Sequence, residues 1–325
     1  VISPVTILYG ALAEDAPPDE QDVLIEVEAV EAALKRLGYA VATLSVSLNL
    51  DLARARLQEQ RPAFVFNLVE SLDGRGRFCP VGAALVEETK LPYTGASSSA
   101  LFMSSSKLLA KRLLRLCGIE TPDWRADAIA SESAAGDRWI IKSVWEHASI
   151  GIDDQSVVDT RYVTEMLAAR RKRLGGEWFA ERFVEGREFN IALIENTNGL
   201  QVLPPAEIKF EDFPSHKPRI VGYAAKWQPD SFEGVHTPRT FNFGEHDYSL
   251  LERLGEIARR CWSLFECRGY ARVDFRVDEA GRPWVLEVNA NPCLAPDAGF
   301  AAAGSQAGFS YDEVIERIVN HVSHP

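Results

Sequence analysis

Residues 270–292, YARVDFRVDEAGRPWVLEVNANP, constrain this chain more than any other stretch. Two runs, 271–277 and 283–288, set apolar and charged residues in alternate places, the period of a half-buried strand. Asp278-Glu279-Ala280-Gly281 between them is turn chemistry, with a glycine free to take positive φ. These features predict a β-hairpin. A turn centred on Ala280-Gly281 sets Asp274 opposite Glu287 and Arg272 opposite Asn289. Because i and i+2 share a face, all four side chains leave the same side. Opposed residues lie roughly 4.5–5.5 Å apart at Cβ, where like charges repel. Two carboxylates facing each other on apolar strands ask for a cation. The oxygen-only set Asp274, Glu287 and Asn289 suits Mg²⁺, which commonly bridges carboxylates to nucleotide phosphates. Arg272 beside them is a fixed positive fork for phosphate or a developing oxyanion. The alternative is a ribbon with a solvated, charged face. Asn289, Asn291 and Pro292 argue against it, since they continue a sheet badly and form a site rim well.

The chain ahead of the hairpin alternates strands and helices. Residues 5–9 form a buried-type strand, 24–37 carry helical spacing up to Gly38, 41–46 form a second strand and 52–60 a helix. Residues 64–68 form a third strand, followed by a helix over about 80–88. This order predicts a parallel α/β sheet. The acidic loop 14–22 would lie beyond the strand ends, where ligands sit in open α/β sheets. Ser104-Ser105-Ser106 cap a helix over 107–117. Lys107 falls in its first turn, where a cation opposes the helix dipole and wants an anionic partner. Lys111 and Arg112 are expected at the surface. Trp139 to Lys142 form a strand closed by lysine, and the small-residue loop to Ile152 can bind anions through backbone N–H groups. Residues 228–246 have loop composition. A helix over 249–265 backs the hairpin, and an amphipathic helix over 311–322 ends the chain.

The 325-residue length suits two or three domains. A net charge of −12 argues against a nucleic-acid-binding body. Cys79, Cys117, Cys261, Cys267 and Cys293 lack metal-ligand spacing, which argues against a zinc site or disulfide framework and for a reducing, cytoplasmic compartment. No apolar run is long enough to cross a bilayer, and no signal peptide is evident.

RVDF…VLEVNANP resembles the metal-binding signature of ATP-grasp enzymes, specifically the D-alanine–D-alanine ligase family. Asn67-Leu68-Val69-Glu70 followed by a helix and Leu91-Pro92-Tyr93-Thr94-Gly95 is similar to that family's N-terminal domain. The E-x-F-V-x-G-x-E-F pattern from Glu181 to Phe189 is specific within it, and Tyr223 to Trp227 matches its Y-x-x-K-aromatic element. The resemblance implies an α/β, ATP-grasp fold of three domains: a Rossmann-like substrate domain over 1–97, a lid domain over 98–184, and a metal- and phosphate-binding domain over 185–325. It implies an ATP-dependent ligase that joins a carboxylate to an amine through an acyl phosphate. ATP would be used with Mg²⁺, as two ions, or with Mn²⁺ in its place. Amino-acid substrates and a homodimer are also expected, with no nucleic-acid or membrane partner.

Residue by residue, the resemblance gives Lys107, Lys142, Ser149 and Lys226 to the nucleotide phosphates, and Glu181 with the backbone of Phe183 and Val184 to adenine. Glu188 goes to the ribose hydroxyls, and Asp274, Glu287 and Asn289 go to the metal. Arg272 and Lys226 are assigned to the reacting centre. Glu20 is assigned to a substrate ammonium, although its loop reads equally as a solvated acidic stretch. Three hydroxyls of the family are missing, at Ala148, Trp227 and Ala298. His147 and Cys293 stand where the family has glycine, and Cys293 is not expected to be a nucleophile. These departures predict a poor D-alanine–D-alanine ligase. An authentic one, or a non-catalytic nucleotide-binding relative, is the alternative.

Overall fold

A computed structural model of the chain describes residues 3–126, 136–196 and 198–322. Among these residues the strands form three sheets. The first is parallel, in the order Ala40–Val46, Pro4–Gly10, Phe64–Asn67. Val5, Ile7, Leu8, Phe64, Val65 and Phe66 are all buried, as strands covered on both faces must be. The helices Pro18–Arg36 and Leu50–Gln60 make the crossovers.

The first helix corrects the reading of 14–22 as a loop. It begins at Pro18, with Pro17 as its N-cap and Asp19 and Glu20 in its first turn. A proline at that position loses no needed donor, and carboxylates favour a helix N-terminus. A second correction is the helix Ser98–Ser105, which the serine-rich sequence concealed; the Ser97 hydroxyl caps it by accepting from Ala100 N–H. The next helix, Lys107–Leu116, starts where expected, with Ser106 accepting from Leu109 N–H.

The second sheet is small and antiparallel, in the order Trp124–Arg125, Trp178–Arg182, Arg138–Ser143, Val157–Asp159. The helix Val163–Leu174 packs on it around Trp139, Ile141, Val163, Leu167, Trp178 and Ala180. This core is separate. The first and third sheets instead share two larger cores, one reaching from Leu8 and Val65 to Phe275 and Val288, the other from Ile7 and Phe66 to Tyr270 and Ile318.

The third sheet runs Arg239–Thr240, Ala206–Ile208, Arg187–Asn196, Tyr270–Val277, Pro283–Asn289, with Gly199–Val202 paired to Arg187–Asn196. The helix Tyr248–Leu264 backs it. The stretch read as loop, 228–246, contains the helix Phe232–His236 and the strand Arg239–Thr240.

The hairpin forms with Asp274 opposite Glu287 and Arg272 opposite Asn289, as expected, but by a different route. Val277 pairs with Pro283 and Phe275 with Val285, so the turn is centred on Ala280, and the register shifts between Phe275 and Asp274. Leu286 is the extra residue of a β-bulge. In an unbulged register Asp274 would face Leu286, and the two carboxylates would not meet. Gly186 lets the end of the strand Tyr270–Val277 approach closely. A Cβ there would lie 2.0 Å from the Val277 carbonyl oxygen, and its φ is 134°.

Candidate active site

A cavity of about 480 Å³ opens where the three sheets converge, and every site residue expected from the sequence lines it: Glu20, Lys107, Lys142, Ser149, Glu181, Phe183, Val184, Glu188, Lys226, Arg272, Asp274, Glu287 and Asn289.

The hairpin supplies one wall. Arg272 Nε and Nη2 donate to the two oxygens of Asp274 at 2.8 and 2.9 Å, and Asn190 Nδ2 donates to Asp274 Oδ1 at 2.8 Å. Burial works against the Arg272 charge, but Asp274 more than compensates and holds the guanidinium protonated. Glu287 Oε1 lies 2.5 Å from His147 Nδ1, and its Oε2 lies 4.0 Å from Lys107 Nζ. Burial alone would raise the Glu287 pKa. Lys107 and His147 outweigh it and hold the carboxyl well below its usual range. Asp274, Glu287 and Asn289 present only oxygen acceptors and an amide on one face, a donor set that fits a hard divalent cation.

Two residues on this face escaped the sequence reading. Arg276 pairs with Glu188 at 2.8 Å and donates to the Gly186 carbonyl at 3.1 Å. Arg276 and Asn190 stand two residues from Asp274 and Glu188 respectively, so strand alternation would have found both.

The central sheet supplies the opposite wall. Glu181 is 1% exposed and lies between two lysines, with Lys142 Nζ 2.6 Å from Oε1 and Lys111 Nζ 2.5 Å from Oε2. Lys111 is thus not a surface residue. It is 1% exposed and also donates to Thr121 Oγ1 at 2.7 Å, whereas Arg112 is exposed as expected. Burial pushes the Lys111 pKa down to about 8, with Glu181 acting in the opposite sense. Burial would raise Glu181, but the two lysines outweigh it and lower its pKa. A buried carboxylate of this kind survives only because it is paired. Its partner, seventy positions away in sequence, is what the helical pattern could not reveal.

The loop after Lys142 closes the cavity. Ala148 and Ser149 both have left-handed backbone, with φ of 57° and 61°. For residues other than glycine this costs roughly 1–2 kcal/mol each. Three contacts hold it: Trp227 Nε1 donates to the Ala148 carbonyl at 2.9 Å, Ser149 Oγ donates to the Val221 carbonyl at 2.8 Å, and His147 meets Glu287. Two positions that depart from the family pattern, Ala148 and Trp227, therefore contact each other. Lys107 Nζ donates to the Glu146 carbonyl at 2.6 Å, and Gly76 N–H donates to Glu146 Oε2 at 3.1 Å. The short helix Tyr223–Trp227 brings Lys226 to the cavity, and Tyr223 OH donates to Asp19 Oδ1 at 2.7 Å. Lys226 is open to the cavity, yet the surrounding protein and the nearby Arg272 lower its pKa.

The end of the cavity beside the first helix is acidic. Burial and Asp19 raise the Glu20 pKa. Cys293 Sγ donates to Asp22 Oδ2 at 3.3 Å, and burial raises Asp22 despite that bond. Glu70 is open to the cavity, yet desolvation and Asp22 push it up to about 7. Trp227, Cys293 and Ala298 also line the cavity.

A family model described as "D-ala D-ala ligase C-terminus" matches residues 120–320. The uncharacterized protein y4sG of Sinorhizobium fredii is 28% identical over 304 residues, covering 91% of this chain and 87% of its own length. A D-alanine–D-alanine ligase of Carboxydothermus hydrogenoformans is 28% identical over 330 residues, covering 97% and 96%. Among solved structures, the D-alanine–D-alanine ligase of Bacillus anthracis complexed with ATP superposes with a TM-score of 0.74 at 19% identity, covering 98% of this chain and 97% of that one. At that identity the likeness speaks for the fold.

Proposed function

The chain belongs to the family described as D-ala D-ala ligase C-terminus, and from that premise we propose how its ATP-grasp cavity works. The protein is an ATP-dependent ligase that forms a C–N bond. The observation that carries this reading is the set Arg272, Asp274, Glu287 and Asn289 on one face of the bulged hairpin, sharing a cavity with Lys107, Lys142 and Lys226. Asp274, Glu287 and Asn289 would hold Mg²⁺, which supplies charge neutralisation on the phosphates. Lys142 leaves Glu181 for the phosphates, and Glu181 then accepts from the adenine amino group beside the backbone of Phe183 and Val184. Glu188 accepts from the ribose hydroxyls, since a carboxylate accepts and does not donate. Arg272 and Lys226 face the reacting centre, where fixed charge in a dry site is the largest usual source of catalysis. The substrate carboxylate takes the terminal phosphoryl group of ATP and releases ADP. The amine then attacks the acyl phosphate and releases phosphate. Glu20 orients a substrate ammonium.

The three-domain division at 97/98 and 184/185 belongs to the same proposal, and the separate core of the central sheet supports the lid. A cytoplasmic location and a homodimer complete it. No described helix is long and apolar enough to cross a membrane.

An ADP-release screen over D- and L-amino acids, singly and in pairs, tests the reading. At least one combination should raise ADP release above the substrate-free rate in a Mg²⁺-dependent way, and no stimulation by any of them would favour a non-catalytic nucleotide binder. The relatives' names favour D-alanine as substrate, while Ala148, Trp227 and Ala298 disfavour it. With D-alanine alone, at saturating ATP and Mg²⁺, phosphate release should fall far below that of an authentic D-alanine–D-alanine ligase run alongside. Equal activity would make this chain such a ligase.

A further inference from the structure

We propose that Arg239 is a specificity-determining residue, whose guanidinium binds a carboxylate of the substrate other than the one that is phosphorylated. The ligase reading is used only to say that a carboxylate-bearing substrate enters the cavity.

Arg239 opens the edge strand Arg239–Thr240 of the third sheet, opposite Ile208, and both residues line the cavity. Its guanidinium stands over Gly299, where a Cβ would lie 3.5 Å from Nη2 and 3.8 Å from Cζ and Nε. The long side chain thus reaches from the edge of the sheet to the start of the helix Gly299–Gln306.

The other cations of the cavity are committed. Lys107 donates to the Glu146 carbonyl and lies 4.0 Å from Glu287, and Lys142 pairs with Glu181. Arg272 pairs with Asp274, and Arg276 with Glu188. Lys226 makes no ion pair among the described residues, but it faces the reacting centre in the proposed mechanism. Arg239 has neither a partner nor a task. Among the described residues no carboxylate pairs with it and no acceptor takes a hydrogen bond from its side chain. Asp297 favours its charge without forming an ion pair.

An arginine on an edge strand commonly ends in bulk water, where its donors are met. Arg239 faces the cavity instead, and the surrounding protein, with Arg272 as a like charge, lowers its pKa. Two guanidinium groups share one chamber, and of these Arg272 is paired and Arg239 is not. A planar fork of N–H donors matches the two oxygens of a carboxylate. The nucleotide phosphates are a poorer match, because Lys107 and Lys142, which serve them in the proposed mechanism, project from the helix Lys107–Leu116 and the central sheet.

Calorimetric titration of the whole protein, with ADP and Mg²⁺ present, tests this with glutamate against glutamine and alanine against alaninamide, in D and L forms. The first pair differs by a side-chain carboxylate and the second by the α-carboxylate, so the pair that responds names the source. In at least one pair the acid should bind about tenfold more tightly or better, the lower end for hydrogen bonds to a charged group. Arg239→Gln should bring that ratio to near unity, and Arg239→Lys, which keeps the charge and loses the fork, should retain part of it. Both variants should melt near the parent. No preference in either pair, no binding of any of the acids at millimolar concentration, or a parental ratio in Arg239→Gln would overturn the proposal. So would a large fall in melting temperature in both variants, which would show a structural role. ADP release measured in parallel separates the two readings. A preference that depends on Arg239, with no ADP release from any combination, counts against the ligase alone. ADP release and binding ratios that Arg239→Gln leaves unchanged count against Arg239 alone.

Discussion

The two ends of the cavity treat charge in opposite ways. At the nucleotide end Glu181, Glu188, Asp274 and Glu287 each face a cation of the protein, and the pKa values of Glu181 and Glu287 are lowered. At the other end burial raises the pKa values of Glu20, Asp22 and Glu70, with Asp19 acting on Glu20, Asp297 on Asp22 and Asp22 on Glu70. On the proposed reading the nucleotide end is paired without ligand and would exchange one set of partners for another when ATP binds. At the acidic end burial favours the protonated carboxyls, with Arg272 and Lys226 acting on Glu70 in the opposite sense.

The sharpest way to break this contrast is at the hairpin. Asp274→Asn or Glu287→Gln should lower turnover by at least roughly 10²–10³-fold, the usual effect of removing one preorganised group that stabilises the transition state, while the circular dichroism spectrum and melting temperature stay near those of the parent. Near-parental ADP release in both variants would remove the metal assignment.

Lys111→Met tests whether the balance at the nucleotide end is structural. It leaves Glu181 with one cation, so unfolding free energy in urea should fall by about 3 kcal/mol, the lower end of the range for breaking a buried pair, because Lys142 remains. A loss below about 1 kcal/mol would mean that Lys142 alone suffices.

Glu181→Ala should raise the KM for ATP about tenfold and narrow the gap to GTP, since a site that hydrogen-bonds a substrate group discriminates by it. An unchanged KM for ATP would place adenine elsewhere.

The smallest effect concerns pH. The Glu70 carboxyl holds its proton to about 7 in the folded protein, against 4.5 ordinarily. Between those values the folded state binds the extra proton, so this group's contribution is fully favourable below 4.5 and is lost as pH rises through 7. Glu70→Gln should therefore gain a few degrees of melting temperature over the parent at pH 8 and little at pH 5. Glu181 and Glu287, with lowered pKa values, contribute with the opposite sign: their share is present above the ordinary carboxylate value and lost as pH falls. A Glu70→Gln gain that is equal at pH 5 and pH 8 would show that Glu70 is not perturbed.

What could be read from the sequence follows the same divide. Asp274, Glu287 and Arg272 sit on a hairpin whose partners are close in sequence, so period and turn chemistry located them, even though the assumed turn centre was offset and the bulge at Leu286 restored the pairing. The parallel order of the first sheet was legible from alternation. Lys111 was not, because its partner Glu181 lies on another sheet, and a lysine in an amphipathic helix looks solvated until its neighbours are known. Glu26 was read only as part of a helix, and Glu70 only as the end of the Asn67–Glu70 motif, with no role of its own. Nothing local says that residues 44 positions apart meet a cysteine more than 200 positions later. The helix start at Pro18 was masked by the same acidic, proline-bearing composition that marks a loop.

The shared cores of the first and third sheets have a consequence for how the chain is made. The helix Pro18–Arg36 packs against Tyr311–Val319, and Arg36 donates to both oxygens of Asp312 at 2.6 and 2.7 Å. These partners are 276 positions apart, so at about 5–20 residues per second the ribosome delivers the second roughly 15–55 s after the first. Throughout that interval the helix has the strands Pro4–Gly10 and Ala40–Val46 to pack on, but not Tyr311–Val319. One flank of this helix is thus sealed early and the other late, which leaves the late flank exposed while the rest of the chain is made.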